Sequence, residues 1–581
     1  MQVTMQSSSG PMQDKCLLLF QQPLPRMLEV LTRFITNHRY PLVFSAIALI
    51  YVCNMFIDVM EIDAAQYALI SMEMSFTKSF LHIYQQGSDY LDKPPLLFWL
   101  SSLSFLTLGI SNFAYKLPSV LAAGLGIYSL YRFTFSWYGK DKAVLSAMIL
   151  ACSQALFLIT NDVRTDTLLL GFVMYSVWQL SDYLKSGNRL SLFRTAFGLA
   201  AALMAKGPVA ALVLFFGFGV DVVLKRNWRF IFKTDWIILL AIVAVLLFPM
   251  SYGLYTQFDL HPEKFVYGMQ GPSGLRFFYW TQSFGRITGE SQWNNNTGIS
   301  FFFTSMLWDF QPWIFLFIPA IGMRIYRLYQ LGFRAGANQE FISLGGFLLV
   351  FTILSMSKYK LPHYVFVIFP FASVITADFL LSLKSRLQRI VSGIQFGIMQ
   401  LFWVLILVNF LFFFPPDSIW LPLLLGIIFL VSWVVFIQLR GYPEALYLPS
   451  IITAFGFNLL LSLHFYPHLL RYQAPSQAGR MVTEARIPAD GFFHLNYSRF
   501  SLDFYAKRIS PGVDATSIRN LKKGAWVYCN SDGYSWCLQN RIPFRLIKEL
   551  PSFRVTSLSL PFLFRESRNT VLGKEYLIEI E

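Results

Sequence analysis

The sequence predicts an all-α polytopic membrane protein of about thirteen transmembrane helices, ending in a small α/β domain. Three observations carry that reading. Hydrophobic residues fill 55% of the 581 positions and charged residues only 14%, with a mean hydropathy of +0.50, so no set of soluble domains could cover the apolar surface with polar groups. Apolar runs of about 20 residues, the length that crosses a hydrocarbon core of about 30 Å, recur through most of the chain. From residue 467 onward the pattern changes to short apolar and polar alternation with Gly and Pro punctuation.

Taken in order, the runs lie at about 40–60, 115–137, 143–160, 167–184, 190–205, 208–224, 235–256, 300–323, 341–356, 362–383, 390–414, 418–437 and 446–466. Residues 94–110 (PPLLFWLSSLSFLTLGI) are apolar too, but short and opened by two prolines. If they lie along the membrane, Lys140/Lys142, Lys185/Arg189, Lys225/Arg226/Arg229/Lys233, Arg324/Arg327/Arg334, Lys384/Arg386/Arg389 and Arg440 all fall on one side with the basic N-terminal segment. That is the positive-inside pattern of a cytoplasmic face. Much of the +15 net charge, 47 Lys and Arg against 32 Asp and Glu, is then topology, and nucleic acid is not an expected partner. The first 38 residues lack the short apolar region and cleavage site of a secretory signal, and residues 27–35 suit an interfacial amphipathic helix.

The expected organisation is a cytoplasmic segment 1–38, a membrane domain 39–466 with external loops 61–114 and 257–299, and an external α/β domain 467–581. Strand-like stretches in that last part include Phe492, Phe493, His494 and Leu495, and Trp526, Val527 and Tyr528. Cys529 and Cys537 lie eight residues apart, a spacing that suits either a disulfide across a hairpin or two unpaired thiols.

The informative residues of such a chain are charges near membrane depth, because each costs several kcal/mol unless it meets a polar cavity or a partner. Separate external segments deliver them: Asp63 after the first span, Asp92 and Lys93, then Asp162, Arg164 and Asp166, then Lys206 between two half-length apolar runs, then Lys358 and Lys360, with Arg286 in the long loop. No Arg repeats every third residue, as a voltage sensor needs, and carboxylates do not recur in mid-span, as a proton relay needs. Lysines and an arginine beside carboxylates can hold a departing phosphate and take a proton from an attacking hydroxyl. Together they describe group transfer from a lipid-linked phosphate.

The ordered set Asp63-Ala-Ala-Gln-Tyr67, Asp92-Lys93-Pro94-Pro95, Lys116-Leu-Pro118-Ser119, Arg164-Thr-Asp166, Lys206-Gly207-Pro208 and Ser357-Lys358-Tyr359-Lys360-Leu-Pro362-His-Tyr364 resembles the aminoarabinose transferase and protein mannosyltransferase group of GT-C glycosyltransferases. The resemblance implies a GT-C fold and transfer of a sugar from a polyprenyl (undecaprenyl) phosphate donor, with no nucleotide sugar. It implies an acceptor that is a lipid A-like glycolipid, a glycan or a protein, and an active site on the periplasmic side of a bacterial inner membrane. It carries over a catalytic role to Asp63 and Asp166, with Asp162 a second candidate for the Asp166 role, and phosphate binding to Lys93 and Lys206; Lys358 and Lys360, and from its charge alone Arg286, are further candidates, with Asp92, Tyr67, Arg164 and Tyr364 in support. The family usually reads Asp-Glu-x-Arg-Tyr in the first motif, where this chain has Ala64 and Gln66. No metal cofactor is expected, since lysines supply the positive charge, and the chain is expected to act as a monomer among membrane lipids.

Each residue also has a plain structural reading. Asp63 and Asp166 suit helix N-termini, Lys93 suits a snorkelling interfacial lysine, and one of Lys358 and Lys360 suits a helix flank. Lys206 has the weakest such reading, since it sits in the apolar stretch 190–224. The pair His261 and Glu263 lacks a third ligand at metal spacing. Tyr252, Tyr255, Tyr267, Tyr279 and Trp280 fit either sugar stacking or the aromatic belt of any membrane interface. A transporter or flippase for lipid-linked saccharides and a non-catalytic homologue are the competing functional classes; the first would favour inverted repeats and discontinuous helices, and no internal repeat is visible.

Overall fold

The computed structural model describes residues 40–282, 285, 295, 297–495 and 497–581. The expected interfacial helix at residues 27–35, Cys16 and Arg286 lie outside the described residues. The chain divides into two compact units, Met1–Leu49 and Ile50–Glu581. The first is described only from residue 40, where helix α1 (Tyr40–Met55) begins.

Helix α2 (Asp63–Thr77), whose first turn faces the cavity, is buried nearly all round and stops at Lys78, in the left-handed region at φ 58°. A two-stranded hairpin, β1 (Tyr84–Gln85) and β2 (Ser88–Asp89), leads to α3 (Leu96–Leu108). At 1.5 Å per residue, the 13 residues of α3 span about 20 Å, too short to cross a bilayer core of about 30 Å. Helix α4 (Asn112–Tyr138) is capped by Ser111, whose hydroxyl accepts from the Ala114 N–H at 3.2 Å.

Helices α5 (Lys140–Ala151) and α6 (Gln154–Asn161) meet at a 48° bend. Then come α7 (Thr165–Ser186), α8 (Arg189–Lys206), α9 (Val209–Lys225) and α10 (Asp235–Leu254). The turn between α8 and α9 is Lys206-Gly207-Pro208. Gly207 takes φ +92°, which a side chain would strain, and Pro208 opens the next helix. A short hairpin, β3 (Phe265–Val266) and β4 (Met269–Gln270), comes next. The remaining apolar helices are α11 (Phe301–Asp309), α12 (Ile314–Gln330), α13 (Ile342–Met356), α14 (Phe369–Ser382), α15 (Ser385–Val408), α16 (Trp420–Gln438) and α17 (Leu448–Leu460).

Helical structure occupies most of each expected apolar run, with two corrections: the run at 143–160 bends by 48° where α5 gives way to α6, and the run at 300–323 is broken. The run at 300–323 is not one helix: it breaks between Asp309 and Ile314, at Phe310-Gln311-Pro312-Trp313, where Pro312 has no N–H to continue the ladder. Among the described residues six helices are long and apolar enough to cross a bilayer, or seven if the bent α5–α6 pair is one span. At the end of the bundle away from the cavity, the buried Glu340 accepts from the Tyr138 hydroxyl at 2.5 Å, and Asp378 accepts from Lys142 at 2.6 Å, tying four segments together.

After α17 the chain builds α18 (Ala474–Glu484), β5 (Phe492–Leu495), α19 (Phe500–Ala506), β6 (Gly512–Val513), β7 (Trp526–Asn530), α20 (Ser531–Gln539), β8 (Phe544–Ser552) and β9 (Gly573–Ile580). The strands form one mixed sheet in the order β6-β5-β7-β9-β8, parallel on the β6-β5-β7 side and antiparallel on the other. Cys529 and Cys537 are not on two arms of a hairpin: one lies on β7 and the other on α20. Both thiols are free, buried in the same apolar core and held above their ordinary pKa by burial.

Candidate active site

Six separate segments converge on one cavity of about 190 Å³, room for roughly six waters. Asp63 opens α2, where the helix dipole favours a carboxylate. It caps nothing; its Oδ2 pairs with Arg164. Gln66 and Tyr67, one turn along α2, also line the cavity, and Tyr67 packs edge-on against Phe98 with centroids 5.8 Å apart. Tyr90, Asp92 and Lys93 come from the segment leading into α3, and Lys93 Nζ lies 2.8 Å from Asp92 Oδ2. Asp92 Oδ1 also accepts from Gln282 Nε2 at 2.7 Å. Pro94 and Pro95 fix the backbone directly after Lys93.

Arg164, Thr165 and Asp166 stand at the start of α7. The Arg164 guanidinium is shared: Nε and Nη2 donate to Asp162 Oδ2 at 3.1 and 2.9 Å, and Nη1 to Asp63. Burial opposes its charge, but Asp162 and Asp63 more than offset that, and its pKa is driven above the ordinary value. Asp166 is 3% exposed and pairs with Lys206 Nζ, which reaches across from the end of α8. The Lys206 ammonium also stands 3.9 Å from the centre of the Tyr364 ring, a cation–π contact. His363 Nε2 lies 3.8 Å from the second oxygen of Asp166. Tyr267 enters from the tip of the β3–β4 hairpin, where burial first and Asp92 second push its phenol to about 12, and Tyr359 and Leu361 close the wall. Burial, with Asp63 and Asp92, likewise holds Tyr67 well above its ordinary pKa, so it remains a neutral hydroxyl.

Eight of the residues picked out from the sequence therefore share one cavity: Asp63, Tyr67, Asp92, Lys93, Arg164, Asp166, Lys206 and Tyr364. Asp162 does not line it, but stands behind Arg164 as its second carboxylate. Lys358 and Lys360 do not line it either. Lys358 is exposed, and Lys360 is buried away from the cavity with Nζ donating to the Thr297 carbonyl at 2.8 Å. Tyr359, between the two lysines, is the residue of this turn that lines the cavity, with Leu361 beyond. Gln66, Tyr90, Thr165, Tyr359, Leu361 and His363 were not assigned a site role from the sequence. Of the aromatic residues suited to sugar stacking, Tyr267 lines the cavity and Tyr252, Tyr255, Tyr279 and Trp280 do not.

No three His, Cys, Asp or Glu side chains converge in a metal-binding group among the described residues. His261 and Glu263 form an exposed pair at 2.7 Å. A second cavity of about 200 Å³ lies between Glu61 and the C-terminal sheet, lined in part by Gln473, Arg499, Arg554 and Glu575.

Residues 92–252 match the family model described as dolichyl-phosphate-mannose-protein mannosyltransferase. An uncharacterized protein of Aquifex aeolicus is 28% identical over 329 residues, 56% of this chain and 69% of that one. The undecaprenyl phosphate-alpha-4-amino-4-deoxy-L-arabinose arabinosyl transferase of Edwardsiella ictaluri is 24% identical over 327 residues, and the match spans 55% of this chain and only 54% of that enzyme. In fold, the crystal structure of ArnT from Cupriavidus metallidurans bound to undecaprenyl phosphate superposes with a TM-score of 0.72 at 15% identity, covering 93% of this chain and 97% of that one. In sequence, then, the chain is similar over part of its length to protein mannosyltransferases and aminoarabinose transferases, and in fold it is similar to ArnT.

Proposed function

We propose that the protein is an integral-membrane, inverting glycosyltransferase that moves a sugar from a polyprenyl (undecaprenyl) phosphate carrier to a glycolipid, glycan or protein acceptor. The observation that carries this reading is the meeting of Lys93, Arg164 and Lys206 with Asp63, Asp92 and Asp166 in one cavity, although they come from segments up to 143 positions apart in sequence, 63 to 206. In the reaction, an acceptor oxygen attacks the anomeric carbon and the bond from that carbon to the phosphate oxygen breaks. The phosphate leaves as polyprenyl phosphate with one more negative charge than the diester had. Lys93 and Lys206, with Arg164, stabilise that added charge. Where the acceptor is a hydroxyl, Asp63 takes its proton. Where it is already an ionised phosphate no base is needed, and Asp63 orients it.

All three cations are held by carboxylates, Lys93 by Asp92, Arg164 by Asp63 and Asp162, and Lys206 by Asp166. A phosphate therefore enters by exchanging partners rather than by filling an open cationic hole. The scheme uses no metal, places thirteen spans with the N-terminus in the cytoplasm, and sets the cavity and residues 467–581 on the periplasmic side of a bacterial inner membrane, with the protein a monomer. Mass spectrometry of glycolipids and glycoproteins from cells with and without the protein tests it. Donor accumulation together with loss of a glycosylated product supports the reading; unchanged donor and product pools contradict it.

A further inference from the structure

Lys116 is fully buried, in the second turn of α4, and the transfer scheme gives it no part. A buried ammonium is costly unless its hydrogen bonds and its charge are both answered. Its Nζ donates to Asn161 Oδ1 at 2.8 Å and to the Asn54 carbonyl at 3.1 Å. Asn161 is the last residue of α6, and Asp162 after it carries the carboxylate that grips Arg164 through Nε and Nη2. The neighbouring Tyr115, also fully buried, donates its hydroxyl to the Ala64 carbonyl at 2.8 Å, and Ala64 is the residue after Asp63. One turn of α4 thus ties down both sides of the Asp63–Arg164 pair: Tyr115 through the Ala64 carbonyl next to Asp63, and Lys116 through the side chain of Asn161 next to Asp162.

The charges point the same way. Asp63 and Asp162 share one guanidinium, which leaves the group one negative charge in excess. Asp162 Oδ1 is buried and has no hydrogen-bond partner among the described residues. The carboxylates whose fields act on Lys116 are Asp58 and Asp162, and Asp58 already has Arg480. Lys116, bound to the residue before Asp162, is the remaining basic group whose charge bears on that carboxylate.

From this geometry we infer that Lys116, with Tyr115 beside it, is a positioning residue that holds the Asp162–Arg164–Asp63 group in register for transfer. With Lys116 neutral, Arg164 is drawn toward Asp162 and its hold on Asp63 loosens. The inference rests on the transferase reading for its kinetic test but not for its structural one.

The experiment compares wild type, Lys116→Met and Tyr115→Phe in turnover of a polyprenyl-phosphate sugar, with a structure of each folded variant. Lys116→Met is expected to lower kcat about 10- to 100-fold with the donor KM changed less than about threefold, and to move the acid limb of the pH profile to higher pH, because the carboxylates lose a balancing cation. Adding Asp162→Asn to it is expected to return the acid limb toward its wild-type position. A merely structural role would not move that limb. Wild-type kcat and pH profile in a folded Lys116→Met would overturn the inference while leaving the transferase reading in place. If wild type shows no turnover, the transferase reading fails alone, and the structure decides: an unmoved Asp63–Arg164 pair in the variant overturns the inference, and a parted pair supports it. Should Lys116→Met not fold, Tyr115→Phe, which removes one hydrogen bond, is expected to lose about 3- to 10-fold in kcat and to shift Ala64 and Asp63 in its structure; an unchanged kcat and an unmoved Asp63 overturn the inference.

Discussion

Replacing Lys206 by Met separates the two things this lysine does. Asp166 is 3% exposed and Lys206 14%, so the pair is almost dry. Removing the ammonium leaves a buried carboxylate without its partner, which costs about 3–5 kcal/mol in such settings. Part of that is the lost contact with the Tyr364 ring 3.9 Å away, worth about 1–2 kcal/mol when desolvated. Adding Asp166→Asn removes the stranded charge, so the double variant should regain stability to within about 1–2 kcal/mol of wild type. Activity takes a different course. If Lys206 holds the departing phosphate, both variants lose one preorganised charge contact, about 10²- to 10³-fold in kcat. The assay is thermal unfolding of the detergent-purified proteins alongside turnover of a polyprenyl-phosphate sugar. A double variant that recovered turnover together with stability would refute the reasoning, because Lys206 would then serve only as the counter-ion of Asp166.

Lys93→Ala should abolish most turnover and weaken donor binding, measured as a rise of at least tenfold in donor KM, since a charge-assisted contact to phosphate is lost at a cavity wall. Lys358→Ala, at an exposed residue outside the cavity, should leave kcat within about twofold in the same assay. Stability should also depend on pH through Glu575, which accepts from the Ser552 hydroxyl at 2.7 Å at the edge of the second cavity. Burial, above all, raises its carboxyl from an ordinary 4.5 to about 7, against the pull of Arg499. The folded state therefore binds this proton more tightly than the unfolded chain. The stabilisation is fully present below pH 4.5 and is lost as pH rises through about 7, on the order of 3 kcal/mol. The unfolding temperature should fall between pH 5 and pH 8, and Glu575→Gln should flatten that slope.

Much of the site was legible in the sequence because charge is conspicuous in an apolar chain. Lys206 between two apolar runs, and Asp63, Lys93 and Asp166 just past others, had few places to go but a shared polar chamber. Aromatic residues offered no such contrast: Tyr90, Tyr267 and Tyr359 look the same in a sequence as the many Tyr and Trp side chains that sit at a membrane interface. His363 stands between Pro362 and Tyr364 in a motif the family resemblance covers, but its approach to Asp166 depends on how α7 meets the segment after α13. Lys358 and Lys360 sit two residues apart, yet one is exposed and the other is buried on the Thr297 carbonyl, and no local signal in the sequence separates those two positions. Run length alone hid the break at Phe310–Trp313, although Asp309, Gln311 and Pro312 interrupt the apolar run there. The eight-residue spacing of Cys529 and Cys537 fitted a hairpin and a strand-to-helix turn equally well. Lys116 was visible as a lysine at the start of an apolar helix, yet its partners, Asn54 and Asn161, come from 62 and 45 positions away, and only the packed fold brings them to it.

The most direct measurement is transfer itself: purified protein, in detergent and EDTA, given a polyprenyl-phosphate sugar with a labelled sugar and an outer-membrane glycolipid extract as acceptor. The account predicts release of polyprenyl phosphate matched by label on an acceptor, with turnover collapsing in Lys93→Ala. Turnover that persisted undiminished in that variant, or intact donor after prolonged incubation with folded wild type, would contradict it.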